Sequence, residues 1–369
     1  MTKEQRDWAE AFYKRIQTKL SQTAPVLRGG SPYTTKNGVY DNPEFIGEWY
    51  SGFWGGLLWR MYLETKDETY LQYAREMEEN LDKGFENIRV YGHDVGFVWL
   101  PTAVADYRIT GDDRACERGY QAACALAAQY HHEGKFIQRS FSQGHKYVSI
   151  IDTMLNLPLL YWASEMTGDE RFRIIAETHA ETTIRGLVRS DGSVRHEVRY
   201  EPITWEVSEV HAGQGYAEES SWTRGQAWAL TGFAQSYLHT ERKDFLDIAK
   251  RVAHYFLANM QLYSVPPIDF RQPEEPAYLD TTAGAIAACG LLEIARHVDP
   301  LESRLYKKGA IKLLQGLEQH CDFSLEEQSI LQMGSEAYDT GIHIPIIYGD
   351  YYLMEALAIL CNPDAKRFW

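Results

Sequence analysis

Residues 52–81 read GFWGGLLWRMYLETKDETYLQYAREMEENL and contain two helical segments of different character. The first thirteen residues are apolar or small nearly all round, whereas the segment after the TKDE turn is amphipathic. A helix that is apolar on every side belongs in an interior, and an amphipathic helix covers that interior. The stretch therefore predicts an inner helix followed by an outer one. The apolar face of the second helix is formed by Tyr70, Ala74, Met77 and Leu81.

This pairing repeats along the chain. Turns similar to TKDE occur at residues 110–113 and 167–170, and more loosely at 240–244 and 298–300. Gly can end a helix, and Asp, Thr or Pro can begin the next. With residues 1–17 as a further outer helix and GDYYLMEALAIL as a last inner one, six pairs result. We therefore expect an all-α (α/α)6 barrel of six inner and six outer helices, formed by residues 1–369 as one domain. Pro158, inside MLNLPLLYW, predicts a kink in its inner helix.

The connections between helices are unequal in length. Turns from inner to outer helices are short, whereas most connections from outer to inner helices are long. The long loops should gather at the rim where inner helices begin, and loops on a rigid scaffold often carry function. That rim is the predicted pocket. The long loops lie around residues 22–48, 132–149, 188–219, 263–278 and 320–347.

Four inner helices open with an acidic residue: Asp94, Asp152, Asp280 and Asp350. Asp is a favoured N-cap, so we expect at least two of the four to be caps only. Paired carboxylates at a rim can also perform acid–base chemistry. A helix N-terminus lowers the pKa of a carboxyl group, so a general acid here needs a second carboxylate and apolar walls to raise it.

Aromatic and basic side chains are predicted at the same rim. Trp49 and Tyr50 precede an inner helix and are the better stacking candidates, with Trp54 following them. Arg224 and Trp228 are four residues apart on one helical face, and Arg is suited to binding both oxygens of a carboxylate. His93 and His196 lie in rim loops. These residues predict a carbohydrate-type pocket with a carboxylate pair and a carboxylate clamp.

The composition excludes several classes of partner. A net charge of −15 argues against nucleic-acid grooves and anionic membrane surfaces. The five cysteines form no metal-ligand pattern, and no glycine-rich phosphate loop, GxSxG or HExxH motif occurs. We expect neither metal nor cofactor. Without a signal-peptide run or a membrane-spanning stretch, we expect a cytoplasmic protein, either a monomer or a homodimer.

Four segments together resemble a known family. HDVGF, IIDTMLNLPLLYWAS, HAGQGYAEESSWTRGQAWALTGF and YGDYYLMEAL occur in matching order between about Trp49 and Leu360. They are similar to the unsaturated glucuronyl hydrolases of glycoside hydrolase family 88, whose fold is an (α/α)6 barrel. The resemblance implies a hydrolase that removes a 4-deoxy-hex-4-enuronic acid from lyase-generated glycosaminoglycan, xanthan or gellan fragments. The reaction it implies is hydration of the C4–C5 double bond.

By the same resemblance, Asp152 is the general acid and base, and Asp94 positions the sugar and supports the developing charge. The residues implied to line the uronate subsite are His93, His196, Gln214, Arg224 and Trp228, with Trp49 and Trp54 as aromatic walls.

Two departures from the family pattern bear on specificity. Family members place a Trp soon after the segment that ends at Gln138, where this chain has Arg139, Ser140 and Phe141. Arg139 makes the pocket more attractive to anions. Residues 341–347 lack the Ser and Lys with which some members accept sulfated amino sugars. We therefore expect weak activity on 6-sulfated disaccharides.

Three alternatives remain at this stage. The first is an unsaturated rhamnogalacturonyl hydrolase acting on pectin fragments with the same fold and chemistry. The second is a sugar epimerase that uses His93 and His196 to move a proton, which leaves Asp94 and Asp152 without a purpose. The third is a non-catalytic helical scaffold, which has no need for acidic, basic and aromatic residues at one rim.

Overall fold

The computed structural model describes residues 1–41 and 47–369, with the backbone alone at 88–90. Within these residues, six outer and six inner helices alternate, and the predicted (α/α)6 barrel is confirmed. The outer and inner helices in chain order are α1 (Lys3–Leu27), α2 (Phe53–Thr65), α3 (Glu68–Leu81), α4 (Val95–Trp99) continued by α5 (Ala105–Thr110), α6 (Asp113–Ala127), α7 (Leu157–Thr167), α8 (Glu170–Gly186), α9 (Thr223–Thr240), α10 (Lys243–Asn259), α11 (Thr281–His297), α12 (Pro300–Glu318) and α13 (Ile347–Cys361).

The inner helices form a closed ring. α11 packs against α9 on one side and α13 on the other, α13 contacts α2, and α4 and α5 bridge α2 to α7. α11 is buried from Thr281 to Ala295, whereas the outer helix α10 buries one face only. The all-round apolar segments are therefore inside and the amphipathic ones outside, as their periodicity predicts.

Three of the short turns at the lower end of the barrel share one geometry. The inner helix ends on a residue of positive φ, namely Lys66, Gly111 or Gly168. The side chain of the next residue, Asp67, Asp112 or Asp169, then accepts a backbone N–H of the following outer helix. Because these caps need so few residues, all the long connections lie at the opposite rim.

The kink predicted at Pro158 is wrong. Residues Ile151–Leu155 form a 3₁₀ segment, and α7 begins only at Leu157. Pro158 therefore lies in a first helical turn, where its missing N–H needs no partner. The irregular inner helix is the one containing Pro101, where a π-helical turn (Leu100–Val104) joins α4 to α5.

Short antiparallel strands, which the periodicity did not predict, shape the rim. β1 (Thr35–Lys36) pairs with β2 (Val39–Tyr40), and β3 (Tyr130–His131) pairs with β4 (Phe136–Ile137). A three-stranded sheet contains β5 (Val148–Ile150), β6 (Glu197–Tyr200) and β7 (Val207–His211), with β6 in the centre. The predicted loop over 22–48 includes 42–46, which lie outside the described residues.

Two of the four acidic residues at the rim have structural roles. Asp280 is the N-cap of α11, as expected, and accepts the N–H of Thr282 at 3.1 Å. Asp350 is not a cap, because it lies inside α13. Its buried carboxylate accepts the N–H groups of Ile330 and Leu331 and the hydroxyl of Tyr40. Asp350 therefore anchors the loop that precedes α13.

In the described part of the chain, no helix combines the length and apolarity needed to cross a membrane.

We expect Asp350→Ala to lower the free energy of unfolding by about 3–5 kcal/mol, since three buried donors lose their acceptor at once. Urea denaturation followed by circular dichroism measures this. Asp350→Asn, which keeps one acceptor oxygen, should lose less. The exposed Asp364→Ala serves as control and should change stability by less than about 0.5 kcal/mol. Equal losses for Asp350→Ala and Asp364→Ala would contradict the anchoring role.

Candidate active site

The three-stranded sheet brings three predicted site residues together. Asp152 follows β5, His196 precedes β6 and Gln214 follows β7, and antiparallel pairing places these positions at one end of the sheet. The N–H of Ile151 donates to the carbonyl of His196 at 3.0 Å. His196 Nε2 then lies 3.3 Å from Asp152 Oδ2. The backbone N–H of Gln214 donates to His196 Nδ1 at 2.9 Å, so Nε2 is the nitrogen that carries a proton towards Asp152.

A glycine permits this arrangement. Gly213 has a φ of +56°, and a Cβ at this position would lie 1.9 Å from His196 Nδ1. The turn after β7 can therefore approach the imidazole only without a side chain.

Asp94 and His93 come from the start of α4 and are locked to the Asp152 segment by Asn156. The side-chain oxygen of Asn156 accepts the N–H of Phe97 at 2.8 Å, and its amide nitrogen donates to the carbonyl of Asp152 at 3.2 Å. A Cβ on Gly96 would lie 2.6 Å from the Cα of Asn156, so only glycine allows this close approach. One side chain thus fixes the distance between the two acidic segments.

The two histidines differ in their contacts. His93 Nδ1 lies 3.1 Å from Thr153 Oγ1 and 3.4 Å from Asp94 Oδ1. Burial lowers the pKa of His93 to about 3, although Asp152 acts in the opposite direction. His93 is therefore neutral at physiological pH and acts in the site through hydrogen bonding rather than charge.

The two carboxyl groups have opposite pKa shifts. Burial and the neighbouring charge of Asp152 hold the pKa of Asp94 well above its usual value, against the opposing effect of Arg139. Burial also acts to raise the pKa of Asp152, but His196 and Arg224 outweigh it and lower that pKa. These opposite shifts favour the proton on Asp94 over Asp152 in the free site. Both side chains remain accessible, at 21% and 14%.

Of the three tryptophans predicted to line the site, Trp49, Trp54 and Trp228, Trp49 is the accessible one. The ring of Trp49 is half-buried and lies 5.5 Å from Phe97 and 5.0 Å from Tyr348. Trp228 packs 5.1 Å from Phe97 on the other side and is fully buried. Trp49 can thus present a face to a ligand, whereas Trp228 is closed to solvent and packs against Phe97.

Arg224 is held by protein acceptors. Its Nη1 lies 2.7 Å from a carboxylate oxygen of Asp280, and its Nη2 donates to the carbonyl of Glu336 at 2.5 Å. The guanidinium also lies 4.5 Å from the ring centre of Trp222, and its side chain is 1% exposed. The clamp expected of Arg224 therefore has its charge already balanced by Asp280. Its effect on the site is electrostatic, through Asp152.

Trp54 does not belong to this cluster, contrary to expectation. Its indole N–H donates to the carbonyl of Arg28, at the end of the outer helix α1, at 2.7 Å. The side chain is 1% exposed and packs between helix layers, because it lies on the outward face of α2. We exclude Trp54 from the substrate-binding residues.

Sequence reasoning missed Asn156, Gly96 and the ion pair between Arg139 and Glu197. The spacing of four residues from Asp152 to Asn156 was the available signal for the first. Among the described residues, no group of three or more His, Cys, Asp or Glu side chains could hold a metal ion.

Comparison with known proteins agrees with the fold and the site. The model of Glycosyl Hydrolase Family 88 matches residues 31–359. An unsaturated glucuronyl hydrolase of Bacillus sp. (strain GL1) is 37% identical over 84% of this chain and 85% of its own length. The chain belongs to glycoside hydrolase family 88 and is a glycoside hydrolase.

Solved structures give the same result. The unsaturated glucuronyl hydrolase of Streptococcus agalactiae superposes with a TM-score of 0.92 at 30% identity, over 100% of this chain and 94% of the other. A variant of the S. agalactiae enzyme complexed with dGlcA-GalNAc6S superposes with a TM-score of 0.85 at 28% identity, over 99% and 94% of the two chains.

At pH 7 we expect Asp94 to be protonated and Asp152 to be ionised, since burial and like charge act most strongly on Asp94. Infrared difference spectra between the wild type and each Asp→Asn variant measure this. Asp94→Asn should remove a protonated carboxyl band, and Asp152→Asn should remove an ionised carboxylate band. The reverse assignment would contradict the electrostatic description.

Proposed function

We propose that this enzyme removes a 4-deoxy-hex-4-enuronic acid from the non-reducing end of oligosaccharides by hydrating its C4–C5 double bond. The observation that carries the proposal is the Asp94–Asp152 pair at an accessible rim, whose two pKa values are shifted in opposite directions, with the half-buried ring of Trp49 packed 5.5 Å from Phe97 of α4. The similarity to unsaturated glucuronyl hydrolases supports it. We also infer that residues 1–369 act as one catalytic domain, because the first helix, α1, packs against α13, the last inner helix of the barrel.

In the first step, the carboxyl group of Asp152 donates its proton to C4. Positive charge then develops at C5 and is shared with the ring oxygen. An ionised or hydrogen-bonding Asp94 stabilises this charge. The side-chain amide of Asn156 holds the Asp94 and Asp152 segments in place before the substrate binds. This preorganisation lowers the activation free energy of proton transfer.

In the second step, water adds to C5 and its proton passes to the carboxylate of Asp152. The net change is addition of H to C4 and of OH to C5, and Asp152 returns to its starting form. The resulting hemiketal opens and releases the next sugar. His196, 3.3 Å from Asp152, holds the carboxylate in orientation. Gln214 donates its amide N–H to the carbonyl of Glu336, and we assign its amide oxygen the role of accepting a sugar hydroxyl.

The location of the proton in the free site bears on the first step. With the proton on Asp94, Asp152 must become protonated once the sugar is bound. The bound anionic sugar adds a negative charge to the pocket and displaces water, and both changes raise the pKa of Asp152. The substrate thereby helps to prepare the acid that attacks it.

The alternatives are less well supported. The match is to family 88, which disfavours the rhamnogalacturonyl hydrolase. An epimerase needs two histidines that exchange protons, whereas burial holds the pKa of His93 at about 3. The chemistry requires no metal or cofactor, because the acid, the base and water supply every atom transferred.

We expect the wild type, incubated with an unsaturated chondroitin disaccharide, to abolish the ultraviolet absorbance of the conjugated alkene. Asp152→Asn should lower kcat by a factor of about 10²–10⁴, since it removes the acid and base while leaving the pocket shape unchanged. Binding of the disaccharide to this variant, measured by calorimetry, should persist. If the wild type leaves the absorbance unchanged with chondroitin, xanthan and gellan fragments alike, the proposed function is wrong.

We expect kcat/KM for a disaccharide with a 6-sulfated amino sugar to be at least roughly tenfold below that for the unsulfated one. The segment before Tyr348 is apolar apart from His343 and offers no Ser or Lys donor to a sulfate. The alkene absorbance assay measures both substrates. Equal rates on the two disaccharides would refute this expectation.

A further inference from the structure

Two arginines influence the carboxyl pair, and they differ in accessibility. Arg224 acts on Asp152 and is buried, whereas Arg139 acts on Asp94 and its side chain is 35% exposed. Arg139 is also fixed in place through its backbone. Its carbonyl accepts the N–H of His93 at 3.1 Å, and its N–H donates to Val148 at 2.9 Å. Arg139 is therefore a well-placed cation at the mouth of the site.

One edge of the Arg139 guanidinium has no partner. Its Nη1 donates to Glu197, whose side chain is 8% exposed, while Nε and Nη2 donate to no residue in the described part of the chain. Elsewhere in this protein the same edge binds both oxygens of a carboxylate. Arg75 holds Asp106 in this way at 3.0 and 3.1 Å, and Arg118 holds Asp82 at 2.6 and 2.7 Å.

We propose that the free Nε–Nη2 edge of Arg139 binds a carboxylate or sulfate group of the saccharide, with Glu197 orienting the guanidinium. This inference rests on the proposed function, since it names a specificity residue of the same site. The planar edge matches two oxygens of either anion. Arg224 is not suited to this role, because its side chain is 1% exposed and its Nη1 and Nη2 already donate to Asp280 and Glu336.

Charge distribution supports the assignment. The chain carries a net charge of −15, so an anionic substrate meets repulsion over most of the surface. Near Arg139, Arg199 on the adjacent strand β6 already pairs with Glu209 at 3.0 Å, whereas the guanidinium of Arg139 keeps its Nε–Nη2 edge free of partners among the described residues. A local cationic group at the mouth lets the anionic sugar approach the carboxyl pair.

The test compares Arg139→Gln and Arg139→Lys with Lys146→Gln, an exposed cation on the same loop. Four disaccharides are used: the free uronate, its methyl ester, and the 4- and 6-sulfated forms. We expect Arg139→Gln to raise KM for the free uronate roughly 10- to 100-fold, with a smaller change in kcat. Arg139→Lys should recover part of this loss, and Lys146→Gln should behave as wild type.

The substrates identify the anion. The ratio of the KM of Arg139→Gln to the KM of the wild type is compared between substrates. If this KM ratio falls towards one for the methyl ester, Arg139 binds the uronate carboxylate. If the ratio grows only for a sulfated disaccharide, it binds that sulfate. A ratio that is the same for all four substrates, or an equal loss in Lys146→Gln, would overturn the proposal.

A binding measurement separates this inference from the proposed function. Calorimetry with a saturated glucuronyl disaccharide, which contains no alkene to hydrate, gives a Kd that does not depend on turnover. Arg139→Gln should weaken that Kd by a similar 10- to 100-fold. An unchanged Kd in Arg139→Gln, together with an unchanged KM, overturns the inference even if the wild type hydrates the alkene. A wild type that binds through Arg139 but leaves the alkene intact would instead contradict the proposed function alone.

Discussion

The site depends on the close contact between the start of α4 and the 3₁₀ segment that carries Asp152. Asn156 makes this contact with both ends of its amide, to the N–H of Phe97 and to the carbonyl of Asp152. Because Asn156 is fully buried, loss of either bond would leave a backbone group unsatisfied in the interior. The same bonds that stabilise the upper part of the barrel therefore also set the spacing of the carboxyl pair.

This spacing has an electrostatic consequence. Two carboxyl groups held together in a partly buried pocket cannot both be ionised without a large cost. His196 and Arg224 favour the ionised form of Asp152, whereas burial and the neighbouring charge of Asp152 favour the protonated form of Asp94. The free enzyme thus favours a proton on Asp94, next to the residue that has to deliver one. Binding an anionic sugar changes that balance in the direction that catalysis needs.

The fold could be predicted because it depends on local patterns. Helices buried all round, amphipathic helices and Asp-capped turns each leave a signal within about fifteen residues, and their alternation determines the double ring. Pro158 misled the prediction because the periodicity alone cannot distinguish a kinked helix from a 3₁₀ segment that leads into a first helical turn. Strands of two to five residues gave no periodic signal at all.

The site could be predicted only in part because contact partners are not local in sequence. Asp94, Asp152, His93, His196 and Gln214 converge as expected, but Trp54 faces outwards, since a helix buried on every side gives no indication of which face meets the pocket. Asp350 resembled a cap because its binding partners, Ile330 and Leu331, lie nearly twenty residues away.

The role of Arg224 also could not be predicted from the sequence, because it depends on the charge that Arg224 pairs with. A guanidinium buried to 1% exposure needs a compensating charge, and Asp280 supplies it. An arginine that is closed to solvent and whose Nη1 and Nη2 are already paired is poorly suited to bind a substrate, although its position on the helix suggested a clamp. An arginine that binds an anionic ligand needs access to solvent and unpaired N–H donors. A carboxylate that already pairs with this arginine must therefore occupy only part of the guanidinium. Among the two arginines that act on the carboxyl pair, only Arg139 meets these conditions.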